Sequence, residues 1–251
     1  MAPSPATPPS GFPSTVQYLT TPSPSRLLPS QHKTTYCSPC PPHLLPNPPP
    51  KVAIKKISDP RHPANGQSGL FALTALPRGT WIRDYCGVVH TEKEADLESD
   101  YDLSLERNWV DGAEGEEGRW EVVGCDATKA GSEARFVNDY RGVPNYQRPN
   151  AVFELRSFPL THLPPDPATS QPRQGVRMSV WAGPHGVEKG AELCVSYGRG
   201  FWEKRREEWA EKERKEAETA ATTTGRGESA KGREKAEGKK GKEKGGKGKK
   251  G

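Results

Sequence analysis

The sequence predicts a mostly β domain flanked by two low-complexity arms, and three observations lead there. Residues 1–50 hold 15 of the 26 prolines and only two Lys, Arg, Asp or Glu side chains, Arg26 and Lys33. Proline fixes φ and lacks an N–H donor, so this arm is expected to be disordered. Residues 225–251 hold 11 Lys or Arg against 4 Asp or Glu, interleaved with glycine. That excess is larger than the net charge of +5 for all 251 residues, and residues 1–224 carry 26 Lys or Arg against 28 Asp or Glu. The basic pI near 8.9 therefore belongs to a tail, not to a face of the domain. Between the arms lie short apolar, β-branched or aromatic segments bounded by Gly, Pro, Asn or Asp, which is the pattern of strands.

In chain order these segments are Val52–Ile57, Gly69–Ala75, Thr80–Val89, Tyr101–Leu105, Trp120–Cys125, Ala151–Phe158, Val176–Trp181 and Glu192–Ser196. Asp111–Gly118, acidic and glycine-rich, and Pro159–Gly175, proline-rich, read as surface loops. Gly200–Thr219 differs: it is charge-rich, free of internal Gly and Pro, and carries Trp202 and Trp209 at helical spacing. It is expected as a C-terminal helix whose tryptophans pack back on the domain.

Composition also excludes. Only 31% of the chain is hydrophobic, too little for one domain running its whole length. No apolar run approaches the roughly 18 residues that a membrane span needs. The segment Met1–Ser10 has neither a charged start nor an apolar stretch, so no secretory signal is expected. Five cysteines, an odd number at low density, do not read as a disulfide framework. Cys37 and Cys40 lie near His32 and His43, but the spacing is tight and the surroundings are full of proline. No metal site is expected there, and Cys86, Cys125 and Cys194 read as small buried hydrophobes.

Four stretches carry chemistry. Asn65-Gly-Gln-Ser-Gly-Leu-Phe-Ala72 is a glycine-flanked turn before a strand, where main-chain groups can approach a ligand closely. Trp81-Ile-Arg-Asp-Tyr-Cys-Gly-Val88 is a strand carrying Tyr85 before a glycine. Asp126-Ala-Thr-Lys-Ala-Gly-Ser-Glu-Ala-Arg-Phe-Val-Asn-Asp139 is followed by Pro149-Asn150-Ala-Val-Phe153. Gly190-Ala-Glu-Leu-Cys-Val-Ser-Tyr-Gly198 precedes Phe201-Trp202.

In this order the four stretches resemble the motifs of the SET-domain protein lysine methyltransferases, over about Lys51–Arg205. The first motif is nonspecific; the third and fourth together are highly specific. The resemblance implies a SET domain at 51–205, small twisted β-sheets around a pseudoknot, followed by a helix at 206–224. It implies that the Tyr-Gly segment threads under the Arg-Phe-x-Asn loop and brings Asn138 and Tyr197 together. Gly66, Gln67 and Ser68 would bind S-adenosylmethionine through main-chain groups. Asn138 would hold its amino-acid end, and Asp139 would meet the adenine through its backbone. Tyr197 matches the catalytic tyrosine, while Tyr85 and Phe153 would line the channel for the target lysine.

The residue types suit the implied reaction. Methyl transfer from a sulfonium to an amine is an in-line displacement that needs a neutral amine, whereas a free lysine has a pKa of about 10.4. A narrow aromatic channel strips water from the ammonium and favours the neutral form. Such a channel also aligns the reacting atoms. A carboxylate there would favour the charged amine instead, and no metal is needed.

The sequence also departs from the family. Asp139 stands where members usually carry histidine, and the interval from Asn138 to Pro149-Asn150 is longer than usual, which marks a remodelled loop. Val195 stands where many members carry the aromatic residue that sets how many methyl groups fit. The family's cysteine clusters are absent, and Phe201 or Trp202 either covers the adenine or simply packs the helix. The expected function is methylation of a lysine on a histone or another protein. The alternative is a SET-like interaction module with little or no activity, suggested by Asp139 and the altered loop. The tail, with Lys239-Lys240 and Lys249-Lys250, suits nuclear import, beside a cytoplasmic pool. It also suits weak, salt-sensitive contact with nucleic-acid phosphates. No membrane partner is expected.

Overall fold

The structure, a computed structural model, describes residues 7–112, 117–203, 205–207, 210, 211, 214 and 215. The chain divides into two units, Met1–Ser196 and Tyr197–Gly251. The first unit is mostly β, assembled from small sheets. Its elements are β1 (Gln17–Tyr18), β2 (Ser23–Pro24), α1 (Ser30–Cys37), β3 (Val52–Lys56), β4 (Ser68–Ala72), β5 (Trp81–Asp84) and β6 (Val88–Thr91). They continue with β7 (Asp102–Val110), β8 (Arg119–Asp126), β9 (Ala130–Gly131), β10 (Asn138–Asp139), β11 (Ala151–Pro159), β12 (Gln174–Ala182) and β13 (Cys194–Val195).

A three-stranded sheet runs β11-β12-β5 and a four-stranded sheet runs β2-β6-β8-β7, with β3 and β4 forming a separate antiparallel pair. The segment Thr80–Val89, expected as one strand, divides between the first two sheets, with Tyr85-Cys86-Gly87 making the passage. Gly87 allows it because a Cβ there would stand 2.5 Å from the main-chain oxygen of Asp126. Both loops read from the sequence join hairpin strands: one lies between β7 and β8, with residues 113–116 outside the described residues, and the other lies between β11 and β12. Leu70, Ile82, Val89, Val137, Val180, Leu193 and Val195 are fully buried and contribute side chains from most of these sheets to the interior.

Residues 7–50 overturn the expectation of a disordered arm. β1 pairs in parallel with β9, and β2 pairs in parallel with β6. Proline is excluded from a sheet interior but not from two-residue edge ladders, and Pro29 immediately precedes the first residue of α1. The apolar residues between the prolines supply the driving force. Leu28 and Tyr36 are buried, and Phe12 packs edge-on against Tyr18 and Phe136 with centroids 5.0 and 5.9 Å away. Polar anchors also fix the arm. The Tyr18 hydroxyl donates to Glu133 at 2.8 Å. The buried guanidinium of Arg177 donates to the main-chain oxygens of Tyr36, at 2.5 Å, and Ser38. Those carbonyls end α1, where a cation offsets the unpaired acceptors of the last turn.

In the second unit every described residue from 198 to 215 is helical, and Lys215 pairs with Glu211 at 2.8 Å one turn apart. Helix is thus seen at the described positions of the expected segment Gly200–Thr219. Trp209, expected to pack on the domain, and the basic tail 225–251 lie outside the described residues. Among the described residues no helix is long and apolar enough to cross a membrane, and no group of three or more His, Cys, Asp or Glu is arranged to hold a metal ion. The five cysteines are free thiols.

Candidate functional site

The glycine turn before β4 is built by its own main chain. The amides of His62, Asn65 and Gln67 donate to the carbonyls of Asp59, His62 and Ala64, and Gly66 N–H donates to Ile57 at 2.9 Å. Gly66 adopts φ +82°, in the left-handed region that glycine enters without a Cβ penalty. Of the main-chain groups expected to bind a ligand at Gly66, Gln67 and Ser68, the Gly66 and Gln67 amides are thus engaged inside the turn. What the exposed turn still offers is carbonyl oxygen, each with a second lone pair.

β4 continues from Ser68 and meets Asn138. The Asn138 side-chain amide donates through Nδ2 to the Ser68 carbonyl at 3.4 Å and to Glu192 Oε1 at 2.7 Å. With Nδ2 facing two acceptors, the amide orientation is fixed by its partners. Its Oδ1 has no hydrogen-bond partner among the described residues, which leaves a half-buried acceptor aimed away from Glu192. Gly69 is required here: a Cβ would stand 2.5 Å from Glu192 Oε1.

Asn138 and Asp139 form β10, which runs parallel to β13 with Asn138 opposite Cys194 and Asp139 opposite Val195. Tyr140 N–H donates to the Val195 carbonyl at 3.0 Å. Asn150 fastens β13 from the other side. Its amide donates to the Glu192 carbonyl at 2.7 Å and accepts from Cys194 N–H at 2.9 Å. The Tyr146 hydroxyl adds a third bond to the Glu192 carbonyl, at 2.8 Å. Tyr146 comes from the loop between Asn138 and Pro149, so that loop contributes directly to the fastening.

The buried Asp139 carboxylate accepts from Arg141 through its main-chain N–H and its guanidinium, both at 2.8 Å. Arg141 also reaches the Ser196 hydroxyl at 3.3 Å. Asp139 therefore acts as a local anchor for the residues after β10. Val195 is wholly buried.

Tyr85 and Phe153 come together, ring centroids 5.7 Å apart and nearly perpendicular. The Tyr85 hydroxyl donates to the Tyr101 carbonyl at 2.7 Å, which sets the ring in one orientation. Phe153 lies on β11 and Tyr85 directly follows β5, the two outer strands of one sheet, so β12 holds them on a common frame.

Tyr197 opens the second unit, two residues beyond Val195 in the chain. Within that unit it stacks edge-on with Phe201 at 4.8 Å, and Phe201 with Trp202 at 5.3 Å. Arg205 lies over the Phe201 ring at 5.5 Å.

His62, Tyr146 and Glu192 join the site although their side chains were not expected there. Glu192 sits inside a recognised motif, but the motif gives no hint that its side chain turns toward Asn138. His62 carries no sequence signal; its partner Glu192 is 130 positions away. No protein-family model matches the chain, and no curated protein matches it.

Proposed function

We propose that this chain is an S-adenosylmethionine-dependent protein lysine N-methyltransferase of the SET-domain type. The observation that carries the assignment is the meeting of three distant motifs. Asn138 bonds to the first residue of β4 beside the glycine turn, and β10 pairs with β13, two residues before the Tyr-Gly of the last motif. The threaded crossing characteristic of the family is part of the proposal, and the fastening of β13 by Asn150 supports it.

Residue roles follow from chemistry. The Asn138 Oδ1 acceptor suits the α-ammonium of the cofactor's amino-acid end, and the turn carbonyls at Gly66, Gln67 and Ser68 suit further N–H or O–H donors. The cofactor supplies an electrophilic methyl group on a sulfonium. Tyr85 and Phe153 give an aromatic wall that disfavours a charged lysine amine, and Tyr197 offers a phenol oxygen to the amine and the methyl C–H groups. Val195, small and buried, would bear on how many methyl groups fit, and Trp202 would flank the adenine. The target is a lysine on a histone or other protein, in the nucleus and also the cytoplasm; the basic tail would add weak contact with nucleic acid.

Calorimetric titration with S-adenosylhomocysteine tests the cofactor half of the proposal. Saturable binding that weakens in Asn138→Ala supports it, and no binding to the wild-type chain overturns it. A second reading, a SET-like interaction module of little activity, draws on the Asp139–Arg141 pair, which puts a carboxylate where an imidazole is usual. It predicts absent cofactor binding with an intact fold.

A further inference from the structure

We infer that His62 is a positioning residue for cofactor binding, acting through Glu192 on the Asn138 amide. The inference rests on the cofactor assignment above and concerns a residue outside all four motifs.

His62 is 7% exposed and Glu192 5%, so their contact is shielded from water. The imidazole has two partners on opposite sides. Ala64 N–H donates to Nδ1 at 2.9 Å, and Nε2 lies 3.0 Å from Glu192 Oε2. A main-chain N–H can only donate, so Nδ1 carries no proton. The ring proton is therefore on Nε2 and is given to the carboxylate. The tautomer is fixed by the turn itself.

Glu192 is then held at both oxygens. Oε2 takes the His62 proton and Oε1 takes Asn138 Nδ2 at 2.7 Å. The main chain at Glu192 is fixed by Asn150 and Tyr146, and the missing Cβ of Gly69 lets the carboxylate sit this close to β4. A carboxylate bound on both sides cannot rotate, so it determines which end of the Asn138 amide faces it. Nδ2 faces inward and Oδ1 is presented to the ligand side. Without the His62 donor, Oε2 becomes a buried acceptor with a lost bond, and the carboxylate is free to turn away from Asn138. His62 thus links the shape of the glycine turn to the direction of the Asn138 acceptor.

Two conservative variants separate the two bonds of the ring. His62→Asn keeps a short acceptor for Ala64 N–H, as in an Asx turn, but cannot reach Glu192. His62→Gln reaches Glu192 with an amide donor but gives up the Ala64 bond. Affinity for S-adenosylhomocysteine is read by calorimetry and thermal midpoint by circular dichroism, on the full chain.

The inference predicts about a tenfold loss of affinity in His62→Asn and near-native affinity in His62→Gln, even though His62→Gln loses the turn bond. A purely structural role predicts that affinity follows the thermal midpoint instead, and that pattern would overturn the inference. So would equal affinity in His62→Asn and wild type. Wild-type protein that binds no S-adenosylhomocysteine would overturn the cofactor assignment and this inference with it. Should His62→Asn not fold, Glu192→Gln carries the same test. It keeps the Ala64 bond, but in either orientation of the new amide one donor faces a donor. A similar loss of affinity supports the inference, and unchanged affinity overturns it.

Discussion

The Asn138 side chain donates to Glu192 at 2.7 Å across 54 positions of sequence. This bond ties the end of the third motif to the start of the fourth. Its chemistry is asymmetric: an amide suits the carboxylate, and a second carboxylate would repel it. Asn138→Asp should therefore place two acceptors face to face in a half-buried setting. Lost stability of about 1–3 kcal/mol is expected, with cofactor affinity down at least tenfold. Chemical denaturation and calorimetry of the same preparation check both numbers. Equal stability would mean that the bond contributes little.

The arm is held by Arg177, whose burial disfavours the charged guanidinium and pulls its pKa below the usual value. The charge persists because carbonyls at the end of α1 accept from it. Arg177→Met keeps most of the volume and removes the donors. The Tyr36 and Ser38 carbonyls then lose their partner, at a cost of about 2–3 kcal/mol. Limited proteolysis should cut within residues 7–50 in the variant well before the rest of the described first unit. Equal cleavage rates in variant and wild type would count against the anchor.

His90 gives a pH signature. Its Nε2 lies 3.1 Å from Asp102 and its Nδ1 3.0 Å from the Thr91 carbonyl, so both ring nitrogens face acceptors. The bond to Asp102 is the main cause that raises the pKa from 6.5 to about 8, with burial opposing it. A folded-state value above the unfolded one favours the folded protein at low pH. The full contribution, about 1–2 kcal/mol, is present below pH 6.5 and is lost as pH rises through 8. Stability measured between pH 6 and 9 should fall in the wild type, and His90→Gln should flatten that fall.

Thiol reactivity should sort by burial. Burial pushes Cys86 up to about 12 and raises Cys125 and Cys194 as well, so their thiolates are scarce at neutral pH. Iodoacetamide at pH 7.5 should leave these three unmodified in the native protein and label all five cysteines after denaturation. Native labelling of Cys86 would contradict its placement.

Most strands were legible in the sequence because alternation and flanking breakers are local signals. The passage at Tyr85-Cys86-Gly87 was not, since an apolar run looks the same whether it stays in one sheet or changes sheets. What permits the change is Gly87 against the Asp126 main chain, a contact made 39 residues later in the chain. Proline content misjudged residues 7–50 for a related reason. Prolines report what an arm cannot do locally, whereas Phe12, Tyr18 and Tyr36 report their role only once Phe136, Glu133 and Glu106 are beside them. Motif order picked out Asn138 and the glycine turn. It could not supply His62, whose value lies in the direction of one N–H.

The most direct test of the central claim is mass spectrometry of core histones and nuclear extract proteins incubated with S-adenosylmethionine and either the wild-type chain or Tyr197→Phe. Wild type should add methyl groups to lysine side chains, and Tyr197→Phe should lose at least nine-tenths of that signal while still binding S-adenosylhomocysteine. Cofactor binding without lysine methylation on any target by the wild type, or undiminished methylation by Tyr197→Phe, would contradict the account.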